Sequence, residues 1–181
     1  MNTFTQQSSI SWRSAGNFTT RLVTGDNEAM GSFEQHVIFT LDEQRYALPL
    51  HEVERIIPAV YVTPLPNAPT IVSGIITVQG NILPVLNLRC RLQCPARDLD
   101  PTQQFILVTT PRRRIALIVD TVVSVHTVPS QAITNREKIL PGLKQVAGVF
   151  PQDDGIMFIY DLDTCLSLDE EQILDAALRA A

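Results

Sequence analysis

The sequence predicts a mainly β protein built from two similar small β-barrels that share a core. Three observations lead to this prediction. Two pairs of similar segments recur along the chain, short apolar runs alternate with turn residues, and neither half is long enough to bury a good core alone. We therefore expect the two halves to fold as one body.

The repeat is visible in two pairs of segments. YALPLHEV at residues 46–53 is matched by IALIVDTV at 115–122, an offset of 69 counted from 46 to 115. GIITVQGNILPVLNL at 74–88 is matched by GVFPQDDGIMFIYDL at 148–162, an offset of 74 counted from 74 to 148. Two similar offsets in the same order indicate a tandem repeat.

The chain divides into a tail and a folded domain. Residues 1–34 are rich in Ser, Thr, Asn, Gln and Gly without a sustained apolar period, which predicts a flexible tail. The alternative is that its aromatic residues dock onto a partner or onto the domain. Residues 35–181 form the domain, with repeat units at 35–95 and 103–165.

The first half begins with a hairpin. Val37, Phe39 and Leu41 alternate as on a half-buried strand over 36–41, and a second strand over 46–50 follows a polar turn. Apolar residues at helical spacing then predict a short helix of one or two turns over 52–57, ended by Pro58.

The remaining elements follow the same plan. Strands over 71–79 and 82–89 join around Gly80-Asn81, which suits a turn that needs positive φ. Further strands are predicted over 105–110, 115–119, 122–128, 146–150 and 156–162, with a loop and one helical turn between 129 and 145. Ser167 and Glu170 form a capping-box pattern, which predicts a C-terminal helix over 169–179.

Composition narrows the class of function. The formal net charge is −5, which argues against a nucleic-acid binder that must neutralise phosphates. Three cysteines give no disulfide framework, and no apolar run approaches the roughly 20 residues that span a bilayer. The start lacks the pattern of a signal peptide, so we expect a cytoplasmic protein without direct membrane insertion.

Motifs for catalysis or for cofactors do not emerge. His51-Glu52 begins like a zinc-protease helix, but Arg55 stands where the second histidine is needed. Cys90 and Cys94 have no complementary ligand pair, and the Arg112-Arg113-Arg114 run is typical of a solvated turn. We expect a binding protein with no cofactor and no metal. The alternatives from other classes are a nucleic-acid-binding β-barrel and a metal-dependent hydrolase.

Two apolar stretches are candidates for partner contact. Val53, Ile56 and Ile57 form one, and Val122 and Val123 are their echo in the second half. An apolar surface of this kind binds partners when it is exposed. For each of these residues, core and interface stay open.

The assembled pattern resembles the CheW-like family. The segments that carry the resemblance are FTL at 39–41, YALPLHEV at 46–53, GIITVQG at 74–80, ILPVLNLR at 82–89 and IALIVDTV at 115–122. IYDL at 159–162, followed by a terminal helix, adds to it. The resemblance covers residues from about 35 to 179.

What the resemblance implies is a non-enzymatic adaptor of two five-stranded SH3-like barrels. Such proteins couple the cytoplasmic tips of chemoreceptors to the regulatory domain of a CheA-type histidine kinase, and they join other CheW-like proteins in rings beneath membrane-associated receptor arrays. The alternative within signalling is an adaptor of a non-chemotaxis pathway, such as surface motility or second-messenger control.

The resemblance also assigns a receptor-binding groove between the barrels. Carried over by position, the receptor and kinase interface consists of Val53, Arg55, Ile56, Gly74, Gln79 and Val122. Kinase contacts are expected at the barrel ends.

Two of these positions depart from the family pattern. Gln79 replaces an Arg, and Arg55 replaces a Glu. Because an exposed acid-to-base change inverts the preferred partner charge, we interpret both as re-tuned partner choice. The alternative is neutral drift at rim positions that contribute under about 1 kcal/mol each.

Overall fold

The computed structural model describes residues 32–135, 145–152 and 155–180. The predicted tail therefore lies outside the described residues as far as residue 31, and so does much of the loop predicted between 129 and 145. The elements are, in order, β1 Phe33–Leu41, β2 Gln44–Pro49, β3 Val53–Pro58, β4 Val72–Val78, β5 Asn81–Asn87, α1 Arg89–Leu92, β6 Gln104–Thr109, β7 Arg114–Val119, β8 Thr121–Pro129, β9 Thr134–Asn135, β10 Val146–Gln152, β11 Gly155–Tyr160 and α2 Leu168–Ala180.

The strands form two sheets that exchange hairpins. One sheet has the order β3-β6-β7-β5-β4, and the other has the order β8-β1-β2-β11-β10-β9. The hairpin β1–β2 from the first half thus lies in the sheet of the second half, and β6–β7 lies in the sheet of the first half. The predicted mainly β fold is confirmed as two sheets of five and six strands.

Strand registers repeat with the offsets seen in the sequence. Val53 pairs with Val108, and Val122, 69 positions after Val53, pairs with Phe39, 69 positions before Val108. A bulge follows Val53 in β3, and the equivalent irregularity occurs between β1 and β8. The pairing of β3 with β6 and the pairing of β8 with β1 therefore follow the same plan. The boundaries of the repeat units stay a prediction.

The largest core cluster lies between the halves. It is built mainly from the exchanged hairpins and the strands beside them, and includes Phe39, Leu41, Tyr46, Leu48, Ile106, Val108, Ile115, Leu117, Leu86 and Leu88. Each sheet also encloses a smaller cluster of its own. Because β1 lies between these clusters, Ile38 is as buried as Val37 and Phe39, so the prediction of a half-buried strand was wrong.

The helix predicted over residues 52–57 is a strand. A single 3₁₀ turn, Leu50–Glu52, follows β2, and Val53–Pro58 forms β3, paired with β6. The bulge at Glu54 explains the error, because one extra residue shifts the alternation of side chains. Val53 and Ile56 then face the same side three positions apart, which imitates helical spacing. The β-branched side chains favour the strand.

Predictions made from local sequence patterns at the turns and the last helix agree better with the structure. The hairpin between β4 and β5 turns at Gln79-Gly80, one residue earlier than predicted, and both residues have positive φ, of 52° and 80°. The C-terminal helix is confirmed as Leu168–Ala180. Its capping box is formed: the Ser167 N–H donates to Glu170 Oε2 at 2.9 Å, and the Glu170 N–H donates to Ser167 Oγ at 3.3 Å.

Candidate partner-binding surface

The two edge strands β3 and β8 carry most of the residues predicted to bind partners. Val53 on β3 and Val122 on β8 occupy equivalent positions, and both are partly buried against the shared core cluster. Three residues further along each strand, Ile56 is 37 % exposed and its equivalent Val125 is 45 % exposed. Each edge strand therefore offers an apolar side chain beside a partly buried valine.

The charge on β3 is organised by an internal ion pair. The Arg114 Nε–H donates to Glu54 Oε1 at 2.7 Å, and Thr109 Oγ1 also donates to this carboxylate. Hydrogen bonds from Arg114 hold the pKa of Glu54 below its ordinary value. Arg55 is exposed and forms no salt bridge with any described residue. The charge that β3 presents to solvent is therefore positive.

The equivalent edge on β8 is apolar. Val123 takes the bulge position that Glu54 holds in β3, and it is 52 % exposed. β8 carries no Asp, Glu, Lys or Arg in nine residues. The two edges thus share a backbone plan and differ in chemistry: one is charged and the other is not.

Gly74 is a structural position rather than a contact surface. It is buried with φ +148°, and a Cβ there would lie 2.2 Å from the carbonyl oxygen of Thr63. Thr63 and Ile75 exchange two backbone hydrogen bonds of 2.9 and 2.8 Å at this point. The absence of a side chain lets the segment after β3 close against β4.

Gln79 lies apart from β3 and β8 in the strand order. It is exposed at the hairpin tip after β4, which is the opposite edge of the five-stranded sheet from β3. Asn81 Nδ2 donates to the Gln79 carbonyl oxygen at 3.3 Å, which fixes the tip. The structure therefore brings Val53, Arg55, Ile56 and Val122 onto the two edges, whereas Gly74 and Gln79 belong to the other side of the strand order.

Sequence reasoning missed a buried charge network at the junction of the two sheets. The Arg89 guanidinium is buried and donates to Asp42 Oδ2 at 2.7 Å and to Asp120 Oδ2 at 2.6 Å. Asp120 also accepts from Gln103 Nε2 at 2.8 Å. The network joins the turn after β1, the end of β5 and the start of β8. The signal was an arginine directly after an apolar strand, which the motif ILPVLNLR contains.

The ionisation of this network follows from its contacts. Hydrogen bonding to Arg89 holds the pKa of Asp42 below its ordinary value. Burial alone would raise the pKa of Asp120, but hydrogen bonds from the Asp42 N–H, Arg89 and Gln103 lower it overall. The Val122 N–H, two residues later, donates to Gln104 Oε1 at 2.6 Å. These hydrogen bonds therefore hold the chain where β8 begins, and they fix the position of Val122.

A second exposed surface lies at one end of the five-stranded sheet. Val60, Tyr61 and Leu99 are exposed there, and Tyr61 projects almost entirely into solvent. Tyr61 and Leu99 border a cleft of about 410 Å³ that is also lined by Arg97 and Ile118. A large exposed aromatic beside a cleft is the kind of anchor found at protein interfaces.

Other sequence candidates are engaged inside the fold. Arg113 pairs with Glu171 and Asp175 of α2 at 2.5 and 2.6 Å, and Arg114 pairs with Glu54. Within the described ranges, no group of three or more His, Cys, Asp or Glu side chains is arranged to hold a metal ion. None of the described helices is long and apolar enough to cross a membrane.

Two equivalent edge strands on one shared core define the protein as a β-sheet binding scaffold. The family model of the CheW-like domain matches residues 35–170, which is most of the chain. The chain belongs to the CheW-like family.

Curated relatives and solved structures agree with this assignment. The chain is 25 % identical over 146 residues to a chemotaxis protein CheW of Treponema pallidum, covering 77 % of this chain and 86 % of the relative. It is 23 % identical over 150 residues to a chemotaxis protein CheW of Klebsiella aerogenes, covering 78 % and 87 %. The crystal structure of the scaffolding protein TtCheW from Thermoanaerobacter tengcongensis matches with a TM-score of 0.69 and 26 % identity, covering 76 % of this chain and 94 % of that one.

Proposed function

We propose that this protein is a non-enzymatic chemotaxis adaptor that couples chemoreceptors to a CheA-type histidine kinase. The observation that carries the proposal is the match of the CheW-like domain across both sheets, residues 35–170. The adaptor acts in the cytoplasm, where receptor tips and the regulatory domain of the kinase recruit it to membrane-associated arrays. Other CheW-like proteins share its rings.

The receptor tip binds at the edge strands β3 and β8. Val53 and Val122 support this surface from the shared core, and Ile56 supplies exposed apolar area. Arg55 contributes a positive charge, because the neighbouring Glu54 is held by Arg114. We expect the receptor segment to place a carboxylate opposite Arg55. Gly74 acts indirectly by closing the five-stranded sheet, and Gln79 contacts a partner from the hairpin tip.

The kinase domain binds at the end of the five-stranded sheet. Tyr61 is the anchor, flanked by Val60 and Leu99. The Tyr61 ring offers a large contact area, and with only two χ angles it loses little side-chain entropy on binding. This surface follows β3 directly in the chain, at Val60 and Tyr61, and does not include β8.

Calorimetric titration with the kinase regulatory domain from the same cell tests the function. One-to-one binding in the micromolar range is expected, and receptor tips added next should form a ternary complex. No binding to any such kinase would contradict the adaptor assignment. A salt-sensitive gel shift with nucleic acid would favour the nucleic-acid-binding alternative instead. The structure gives that alternative little support, because two of the three clustered arginines are already paired within the fold.

Surface variants separate the two contacts. Ile56→Asp should weaken receptor binding at least about tenfold and leave kinase binding unchanged, and Tyr61→Ala should do the reverse. Ile156→Asp is the matched control, since Ile156 is an exposed isoleucine on β11 and belongs to neither proposed surface. If Ile156→Asp weakens binding as much as Ile56→Asp, the assignment of β3 is wrong.

A double variant tests re-tuned partner choice. Gln79→Arg combined with Arg55→Glu restores the family pattern at both positions. We expect a higher affinity for a standard receptor tip and a lower affinity for the native one. No gain with the standard tip would leave neutral drift as the explanation of both residues.

A further inference from the structure

Two histidines face each other across the ladder that holds β8 onto the fold. His36 on β1 pairs directly with His126 on β8. His36 is only 1 % exposed, its ring lies 5.6 Å from that of Phe150, and its Nδ1 has no hydrogen-bond partner among the described residues. His126 Nδ1 lies 3.3 Å from Gln152 Nε2. His36 therefore lies inside the six-stranded sheet, and His126 lies partly exposed on its edge strand.

The equivalent pair in the other sheet is apolar. Subtracting the offset of 69 places Ile57 at the position of His126, and adding it places Phe105 at the position of His36. Ile57 pairs with Phe105 in the same register, and Phe105 is fully buried in the five-stranded sheet's own cluster. The backbone plan thus accepts two apolar side chains here, whereas this chain carries two titratable ones in the six-stranded sheet.

We propose that the His36–His126 pair makes the attachment of β8 sensitive to pH. In the neutral form both imidazoles pack within the sheet and β8 stays on β1. Protonation of His36 places an unpaired charge at a buried position in this ladder, which is unfavourable. Acidification therefore favours opening of β8, the edge strand that carries Val122 and Val125.

The surroundings of the pair agree with this direction. Burial lowers the pKa of His36, Glu34 on the same strand raises it in part, and His51 in the turn after β2 lowers it further. From β10 only the neutral Phe150 and Gln152 face the pair. The charged group that would stabilise an imidazolium is the single carboxylate of Glu34, which is exposed and screened by solvent.

The sign of the effect follows from proton linkage. In the open form His36 regains its ordinary pKa of about 6.5, whereas in the closed form its pKa is lower. Below about pH 6.5 the open form binds more protons at His36, so the opening constant of β8 rises by up to about tenfold per pH unit. Above about pH 6.5 the effect vanishes.

Amide hydrogen exchange tests the proposal. Opening constants are measured for β8 and for β7 between about pH 7.5 and about pH 5.5, each corrected for intrinsic exchange. The ratio of β8 to β7 opening should rise in the wild type, by up to about tenfold. The variant His36→Phe with His126→Ile recreates the apolar pair of the other sheet, and its ratio should stay flat. His51→Gln removes only the smallest of the contributions that lower the pKa of His36, so the rise should persist at a reduced size.

Three results would overturn the proposal: a flat ratio in the wild type, an equal rise at β7, or an unchanged pH dependence in the apolar variant. A measurement on the wild-type chain guards against misfolded variants. NMR titration of the His36 ring should give a pKa below about 6.5, and a value at or above it would also overturn the proposal. Weaker receptor binding in acid rests on the proposed function, whereas the exchange ratio does not.

Discussion

A methyl group at Gly74 is the sharpest test of how the five-stranded sheet closes. In Gly74→Ala the new Cβ would lie 2.2 Å from the Thr63 carbonyl oxygen and 2.8 Å from the Val62 side chain, and φ is +148°. The first contact is with backbone, so no side-chain rotation relieves it. The segment after β3 must move away from β4.

The cost can be worked from two contributions. An L side chain at this φ carries strain of about 1–3 kcal/mol. Displacing Thr63 also breaks the two backbone hydrogen bonds with Ile75, which contribute about 1 kcal/mol each. We therefore expect Gly74→Ala to lower the free energy of unfolding by about 3–5 kcal/mol, a large fraction of the stability of a domain of this size.

Gly148 is the matched control, because it occupies the equivalent position in the six-stranded sheet. A Cβ there would lie 3.0 Å from the Thr134 carbonyl oxygen, without a positive φ. Alanine leaves the unfolded chain less flexible than glycine does, and this stabilises the folded state by about 0.4–1 kcal/mol. The gain offsets part of the cost of the tighter contact. Gly148→Ala should therefore change stability by less than about 1 kcal/mol.

Urea denaturation at neutral pH measures both variants by linear extrapolation. A difference between them below about 0.5 kcal/mol would refute the reasoning, because it would mean that the approach of Thr63 does not constrain Gly74. An unchanged m-value is needed for the comparison, since a change in m indicates an altered denatured state.

Three further outcomes are expected. Arg89→Met should destabilise the fold by about 1.5–3 kcal/mol because it removes the charged hydrogen bond between the buried guanidinium and the partly buried Asp120, whereas Arg97→Met, at a side chain 53 % exposed, should cost under about 1 kcal/mol in the same denaturation assay. Ser167→Ala should cost about 1 kcal/mol by removing the cap of α2, seen as a lower Tm, and Ser167→Asn should recover most of it. Burial raises the pKa of Cys165 to about 12, so alkylation at neutral pH should modify the exposed Cys90 first and Cys165 only after unfolding, as peptide mapping would show. Equal costs for the two arginines, no loss of Tm, or early labelling of Cys165 would contradict these expectations.

Local signals were sufficient for the elements that depend on a few neighbouring residues. Ser167 and Glu170 predicted α2 correctly, because both hydrogen bonds of a capping box form between residues within four positions of each other. The repeat offsets were readable because both sheets keep the same register. The alternation of side chains along β3 could not be predicted from the sequence, because the bulge at Glu54 is imposed by pairing with β6. The bulge makes the apolar spacing resemble a helical period. Such pairing is a tertiary effect that overrides local spacing.

The candidate surface was predictable only in part. Val53, Ile56 and Val122 were found by resemblance and lie on the two edge strands, whereas their positions relative to Gln79 depend on strand order. The role of Arg89 was hidden because both of its carboxylate partners are distant in sequence, at Asp42 and Asp120. No spacing rule connects residues that meet only after two hairpins have been exchanged between sheets.

That exchange has a consequence for how such a protein can arise and change. A chain of half the length would lack the hairpin that completes its own sheet, and it could complete that sheet only by borrowing the hairpin of a second copy. The present fold is the covalently joined form of such a strand-swapped dimer. Joining the copies frees each edge to diverge while the backbone plan is kept. Glu54 and Arg55 on β3 occupy the positions that Val123 and Ser124 occupy on β8, so the two edges keep one backbone plan with different side chains.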